Sequence, residues 1–151
     1  MEWMILPLRR YADFSGRSRR KEFWMFTLLN IIITIAVAFL LLALGLPTAA
    51  MGDASQMTAM VSGGAITAVM LLVFLWALAI FIPSIAVAVR RLHDRNLSGW
   101  WYLGVVIASL LPVIGFIVSI AFLVVMALPG TAGPNRFGPD PKDPAQLGVF
   151  A

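Results

Sequence analysis

The segment RRLHDRNLSGWW, residues 90–101, concentrates side chains that could do chemistry in an otherwise apolar chain. It holds the chain's only histidine, His93, next to Asp94, with three arginines and two tryptophans around them. A histidine beside a carboxylate can work as an acid–base couple, because its unperturbed pKa lies near neutrality. Adjacent residues on a helix point in different directions, however, so this spacing does not predict a catalytic couple. We therefore assign no catalytic residue.

The rest of the sequence offers few groups for metal or cofactor chemistry. There is no cysteine, which excludes disulfides, thiolate nucleophiles and iron–sulfur clusters, and one histidine is too few for a usual zinc site. Neither a glycine-rich phosphate loop nor a Gly-x-Ser-x-Gly elbow is present. We expect no metal and no cofactor.

The composition is that of a membrane protein. Hydrophobic residues make up 61% of the chain and charged residues 12%, with a mean hydropathy of +0.94, whereas a soluble fold has roughly 25% charged residues. The net charge of +4 could suggest nucleic acid. Because the basic residues flank apolar runs, topology and anionic phospholipids explain them instead, and no nucleic-acid partner is expected.

Three apolar runs predict an all-α integral membrane protein. Residues 23–46 and 66–89 are each 24 uncharged residues, about 36 Å as helix against a hydrocarbon core of about 30 Å. The third run, 101–128, is longer and is interrupted by Pro112. We expect a bundle of three transmembrane helices, the third long and kinked or broken near Pro112. The alternative is a re-entrant hairpin, which adds a fourth helix and returns the tail to its starting side.

The domain organisation follows from these runs. We expect a single membrane domain over residues 1–145, with a Pro- and Gly-rich tail over residues 129–151 that is extended or rich in turns. No repeat at a solenoid period is found.

The charge distribution predicts the orientation. Residues 1–22 carry six basic side chains, the 47–65 loop carries Asp53 but no Lys or Arg, and three arginines follow the second run. The positive-inside rule places the N-terminus and the 90–99 loop in the cytoplasm and the 47–65 loop outside. A third crossing would then put the tail outside. Tryptophans at the ends of the runs fit the headgroup region: Trp24, Trp100 and Trp101.

Polar and small side chains fall into stripes at helical spacing. We expect these stripes to face other helices. They are Thr27, Asn30 and Thr34 in the first run, and Gly104, Ala108, Pro112, Gly115 and Ser119 in the third. No acidic residue or histidine lies deep in any run, which argues against an ion-coupled pump.

Two acidic residues among the basic ones predict local ion pairs. Arg90 and Asp94 are four residues apart and can pair if the second helix continues through them. We expect Asp94 to orient one of the nearby arginines, and Glu22 to do the same beside Arg19 and Lys21.

Three blocks of the sequence resemble the signature blocks of the domain of unknown function 805 family: FSGRSRRKEFWMFTLLN (14–30), RRLHDRNLSGWW (90–101) and LPGTAGPNRFGPDP (128–141). The resemblance covers nearly the whole chain and implies a small, multi-pass bacterial inner-membrane protein, without implying an activity. The matching positions are Gly16, Arg17, Arg20, Glu22, Phe23, Trp24, Arg90, Arg91, Leu92, His93, Asp94, Gly99, Trp100, Trp101, Gly130, Gly133, Asn135, Arg136, Gly138 and Pro139.

Three functions fit these observations. The leading hypothesis is a non-enzymatic membrane protein that binds anionic headgroups, a second copy of the chain or another membrane protein. Here Arg90, Arg91 and Arg95 would meet lipid phosphates. The alternatives are a channel or transporter component and an interfacial lipid-acting enzyme using His93, Asp94 and Glu22. The residues expected to bind headgroups or a partner are Gly16, Arg17, Arg20, Glu22, Trp24, Arg90, Arg91, His93, Asp94, Trp100, Trp101, Asn135 and Arg136.

Overall fold

The computed structural model describes residues 2–45, 52, 55, 58, 59 and 63–143. Most of the 47–65 loop, and with it Asp53, lies outside these residues. The main elements are helices α1 (Glu2–Arg9), α2 (Arg20–Ala43), α3 (Ala65–Asp94), α4 (Trp100–Ala108) and α5 (Pro112–Ala127). The described part contains no strand beyond one isolated bridge between Asn135 and Gly138. The predicted all-α class is therefore confirmed there.

Helices α2 and α3 are each long and apolar enough to cross a membrane. Both extend into charged sequence beyond the apolar runs. Residues 20–22 form the first turn of α2, where the negative Glu22 is favoured by the helix dipole. Residues 90–94 form the last turn of α3, where cationic groups are favoured. The charged residues of both segments are thus held on helical backbone.

The chain divides into two compact units. The polar unit comprises residues 1–27 and 82–151, and the apolar unit comprises residues 28–81. Every lysine and arginine of the chain belongs to the polar unit, whereas the described residues of the apolar unit carry no charge. All charged residues that the structure describes therefore belong to the polar unit.

The third apolar run forms a hairpin. Helix α4 ends at Ala108, and α5 begins at Pro112, whose missing N–H is tolerated at the first position of a helix. The two helices pack against each other. The chain after α5 then returns to the end of α3, where the Thr131 N–H donates to the Asp94 carbonyl at 2.9 Å. We call residues 100–127 the α4–α5 hairpin.

The hairpin bears on two expectations. The third run is broken near Pro112, as predicted, and it forms two helices as in the hairpin alternative rather than one kinked helix, whereas the bundle of three spanning helices is not confirmed. The expected external tail stays a prediction, and the hydrogen bond from the tail to the end of α3 instead favours the same side for the tail and the 90–99 loop. The turn is tight and requires a glycine: a Cβ on Gly115 would lie only 2.7 Å from the Ser109 carbonyl oxygen.

Within the described chain the stripe of the third run packs closely at Gly115 but is open at other positions. A Cβ on Gly104 would meet nothing within 4 Å, and Pro112 and Ser119 are exposed. In the first stripe, the Thr27 hydroxyl donates to the Phe23 carbonyl at 2.9 Å, and the Thr34 hydroxyl donates to the Asn30 carbonyl at 2.8 Å. Both threonines therefore satisfy their hydroxyls along their own helix.

Candidate functional site

The centre of the polar unit is a buried carboxylate shared by two arginines. Arg17, just before α2, donates through Nε to Asp94 Oδ1 at 2.9 Å. Arg91, one turn before Asp94 on α3, donates through Nη1 to Asp94 Oδ2. All three side chains are almost fully buried. The carboxylate therefore joins the start of α2 to the end of α3 through charge-assisted hydrogen bonds.

The same two arginines hold the chain that follows α5. Their remaining N–H groups donate to backbone carbonyl oxygens. The acceptors are Thr131 (2.6 Å) and Gly133 (2.6 Å) for Arg17, and Met126 (3.1 Å) and Leu128 for Arg91. A guanidinium group has five donors and no acceptor, so carbonyl groups that end a helix suit it well. The tail is thereby fixed to the end of α3.

A second buried pair lies beside the first. Arg90 Nη2 donates to Glu22 Oε1 at 2.7 Å, and the Ser18 hydroxyl donates to the other carboxylate oxygen at 2.7 Å. Arg90 also donates to the Asp13 carbonyl, and the Ser18 N–H donates to the Arg90 carbonyl at 3.1 Å. Together with the Arg17–Asp94–Arg91 group, these residues form what we call the ion-pair network.

The network differs from the predicted local pairs. Arg90 pairs with Glu22 rather than with Asp94, and Glu22 does not pair with Arg19 or Lys21. The prediction that Asp94 orients a nearby arginine is confirmed for Arg91. Burial explains the difference, because a buried charge needs a well-placed counter-ion and further hydrogen bonds, which Arg17, Ser18 and Glu22 supply at the end of α3.

His93 serves as a packing residue. Its ring stacks on Phe137 with centroids 3.9 Å apart, and its Nδ1 lies 3.2 Å from the Gly16 carbonyl oxygen. Gly16 has a φ of +73°, a conformation that favours glycine. The Asn135 amide donates to the His93 carbonyl at 2.9 Å. Among the described residues, the His93 ring thus contacts the Phe137 ring and the Gly16 carbonyl oxygen and has no hydrogen bond to a carboxylate.

Arg136 occupies a separate, exposed position. Its Nη2 donates to the Asn96 carbonyl at 3.0 Å, and its guanidinium carbon lies 4.6 Å from the centroid of the Phe137 ring. Asn96 itself has a left-handed φ of 58°. Arg136 and His93 thus both contact the Phe137 ring, whereas Glu22 is bonded to Arg90 and Ser18.

Two carboxyl groups of the polar unit, those of Asp13 and Asp140, have a lowered pKa. Partial burial raises the pKa of Asp13, but hydrogen bonds from Ser15 and Arg10 outweigh it and lower the pKa to about 2. The pKa of Asp140 is lowered mainly by the Lys142 backbone N–H. Asp140 also lines an open cleft of about 340 Å³ with Gly133 and Pro139. No three potential metal-ligating side chains come together in the described residues.

The structure separates the predicted binding residues into buried and exposed groups. Arg90 and Arg91 are 0% exposed, which corrects the expectation that all three arginines of the segment face lipid phosphates. Arg95 is half-buried and donates to the Pro129 carbonyl. The exposed predicted residues are Arg20, Trp24, Trp100, Trp101 and Arg136.

Sequence reasoning missed three residues of this region. Ser18 is fully buried against Glu22, Thr131 donates to the Asp94 carbonyl, and Phe137 covers His93. Phe137 could have been found, because an aromatic residue within a polar, glycine-rich tail needs an apolar partner. Nothing in the residue types of Ser18 and Thr131 distinguishes them from surface hydroxyls.

Several known proteins are similar to this chain in sequence. The family described as "Protein of unknown function (DUF805)" matches residues 11–139, which include every residue of the ion-pair network. The chain is similar to the Escherichia coli K12 inner membrane proteins YhaI (40% identity over 144 residues, 94% of this chain and 97% of the relative) and YhaH (39% over 142 residues, 94% and 98%). It is also 29% identical to the E. coli K12 protein YiiR over 149 residues, 87% of each chain. No solved structure matches the chain. By the extent of the family match and of these similarities, the chain belongs to the DUF805 family.

Proposed function

We propose that this protein is a non-enzymatic inner-membrane protein whose polar unit binds anionic phospholipid headgroups. The observation that carries the proposal is the arrangement of exposed basic and aromatic side chains around the buried network. Arg20, Lys21 and Trp24 are exposed at the start of α2, and Trp100 and Trp101 are exposed at the start of α4. Indole rings favour the headgroup region, where nearby cations meet lipid phosphates.

The environment of the reactive groups favours binding over catalysis. A general base must come within hydrogen-bonding distance of its substrate. The carboxylates of Glu22 and Asp94 are buried and hold arginines, and the His93 ring is stacked on Phe137. The groups of the alternative enzyme hypothesis are thus already used by the fold.

The proposal also includes an orientation. The N-terminal segment, the 90–99 loop and the tail lie in the cytoplasm, and the 47–65 loop lies outside. The support is that all eleven basic residues belong to the polar unit, together with the positive-inside rule. The names of YhaI and YhaH support the inner membrane as the location.

Lipid selectivity tests the proposal. The protein is reconstituted into bilayers containing brominated phosphatidylglycerol or brominated phosphatidylcholine, and quenching of tryptophan fluorescence is compared at equal mole fraction. We expect stronger quenching by the anionic lipid, decreasing with salt because exposed charges are screened. Arg20→Gln combined with Lys21→Gln removes about 1 kcal/mol per charge, so the preference should fall roughly tenfold or more.

The matched control removes two exposed charges in segments other than those of Trp24, Trp100 and Trp101: Arg9→Gln combined with Lys142→Gln. This variant should keep most of the preference while changing the net charge equally. Equal quenching of the wild type by the two lipids would contradict the proposal, and so would an equal loss of preference in both double variants.

A further inference from the structure

We propose that the α4–α5 hairpin is a membrane-insertion element that enters the bilayer from the side of the polar unit and ends among phospholipid acyl chains without crossing. The binding partner is the apolar part of the lipid. The inference therefore does not depend on the headgroup charge that the proposed function requires.

The lengths of the two helices limit their depth. Helix α4 has nine residues and α5 has 16, which correspond to about 14 Å and about 24 Å. Both are shorter than the hydrocarbon core of about 30 Å. The hairpin also starts and ends at the same place, because Gly99 lies against Val89 near the end of α3 and Thr131 is bonded to Asp94. An element anchored in this way returns before it reaches the opposite surface.

The tip of the hairpin has the chemistry of a lipid-facing surface. It reads SLLPV over residues 109–113, and the chain has no charged residue between Arg95 and Arg136. Leu110 is 78% exposed and Val113 is 74% exposed. Turns that lie in water are normally built from polar residues and glycine. An exposed apolar turn is stable where its surroundings are hydrocarbon.

The backbone of the turn also suits hydrocarbon. The N–H groups of residues 109–111 each donate to a carbonyl of α4, at 2.9–3.2 Å, and the Ser109 hydroxyl donates to Val106 at 2.7 Å. Pro112 has no N–H to satisfy. Unsatisfied polar groups cost several kcal/mol in lipid, so non-helical backbone there must bond internally. The N–H groups of residues 109–111 are bonded in this way without water.

The entrance of the hairpin has the side chains of a membrane interface. Trp100 and Trp101 begin α4 and are 78% and 63% exposed. They lie beside the chain that leaves the ion-pair network, where the protein changes from charged to apolar sequence. Tryptophans at this position hold the entrance at headgroup level, while the tip extends inward.

Accessibility of single cysteines tests the inference, and the chain has no native cysteine to interfere. Leu110→Cys marks the tip, Ala132→Cys marks the exposed tail, and Ser55→Cys marks the loop between α2 and α3. Each variant is treated with a membrane-impermeant maleimide in spheroplasts and in inverted membrane vesicles. We expect the tail to react only in inverted vesicles and the loop only in spheroplasts. The tip should react from neither side, at less than about a tenth of its labelling after denaturation.

Labelling of Leu110→Cys in spheroplasts would overturn the inference, because the hairpin would then cross the bilayer. Phe116→Cys, also exposed near the tip, replaces Leu110→Cys in this experiment if Leu110→Cys fails to accumulate.

Oxidation shows what covers the tip of the hairpin. Disulfide-linked dimers of Leu110→Cys would show that a second copy covers the tip, and would also overturn the proposal. A bimane label at the same position should be quenched by lipids with nitroxides deep in the acyl chains. These outcomes are independent of phosphatidylglycerol preference, so either proposal can fail alone.

Discussion

At the residue scale, Asp94 is the group on which most of the polar unit depends. Its carboxylate binds Arg17 and Arg91, and its carbonyl accepts a hydrogen bond from the Thr131 N–H. Two arginines on one buried carboxylate are tolerated because backbone carbonyls accept their other N–H groups. Asp94, which could have belonged to a catalytic couple with His93, therefore joins the end of α3 to the start of α2 and to the tail.

Loss of the Asp94 charge should strongly destabilise the protein. Asp94→Asn leaves two buried guanidinium groups with no counter-ion, and breaking a buried pair in this way costs about 3–5 kcal/mol. The free energy of unfolding in detergent, followed by tryptophan fluorescence, measures this effect. Glu2→Gln, at an exposed carboxylate of α1, should change it by less than about 0.5 kcal/mol. An unchanged stability of Asp94→Asn would mean that the arginines find other partners.

Gly130 should not tolerate even one added carbon. A Cβ at this position would overlap Asp94 Oδ2, so Gly130→Ala must displace the carboxylate or the tail. We expect a loss of roughly 1–3 kcal/mol from this overpacking and faster proteolysis of the tail. Ala132→Ser, at an exposed position two residues on, is the control for limited proteolysis. Identical digestion of the two variants would show that the tail is not held against Asp94.

The partners of these residues were only partly predictable. That Asp94 orients a nearby arginine follows from an acid among bases in one segment. The Arg17–Asp94 and Arg90–Glu22 pairs join residues 77 and 68 positions apart, and spacing carries no information at such distances. The backbone carbonyls that accept the other donors occur in every residue, so no side-chain pattern marks them.

At the scale of the elements, hydropathy located the helices, and their ends depended on other interactions. The first two apolar runs correspond to α2 and α3, but both helices continue into charged turns that the ion-pair network stabilises. The break near Pro112 was predictable, because proline has no N–H and favours the first turn of a helix. Whether the chain bends or reverses there depends on how closely α5 approaches Ser109, which hydropathy does not reveal.

The two glycines of the hairpin should therefore respond differently to the same substitution. Gly115 lies against the Ser109 backbone, whereas Gly104 is open. Gly115→Leu should separate α4 from α5, lowering the free energy of unfolding by roughly 1–3 kcal/mol and decreasing accumulation in the membrane. Gly104→Leu should accumulate like the wild type. The opposite order would show that Gly104 faces a protein partner and that the turn adapts to bulk.

At the scale of the whole molecule, the two units differ in charge. The polar unit contains all lysines and arginines, together with the ion-pair network and the tail, whereas the described residues of the apolar unit are uncharged. The assignment of 90–99 and the N-terminus to one side is predictable from basic residues alone. The tail could not be placed in this way, since its two basic residues, Arg136 and Lys142, are balanced by Asp140 and Asp143.

The side of the membrane occupied by the tail is the sharpest consequence of this arrangement. Arg17 and Arg91 bind the carbonyls of Thr131, Gly133 and Met126, so the tail and the 90–99 loop should share one compartment. Fusions of alkaline phosphatase and of a fluorescent protein at Asn96 and Ala151 should both fluoresce and lack phosphatase activity, because the proposed orientation places both sites in the cytoplasm. Fusions at Ala54 should show the reverse, since that loop carries no basic residue. Phosphatase activity at Ala151 with fluorescence at Asn96 would contradict this prediction, because the ion-pair network would then have to be broken in the membrane.

Asp94→Asn distinguishes the two cases. If the network holds the tail, the tail of Asp94→Asn should become accessible to protease on the cytoplasmic side. If the network is already broken, Asp94→Asn should leave the topology of the tail unchanged.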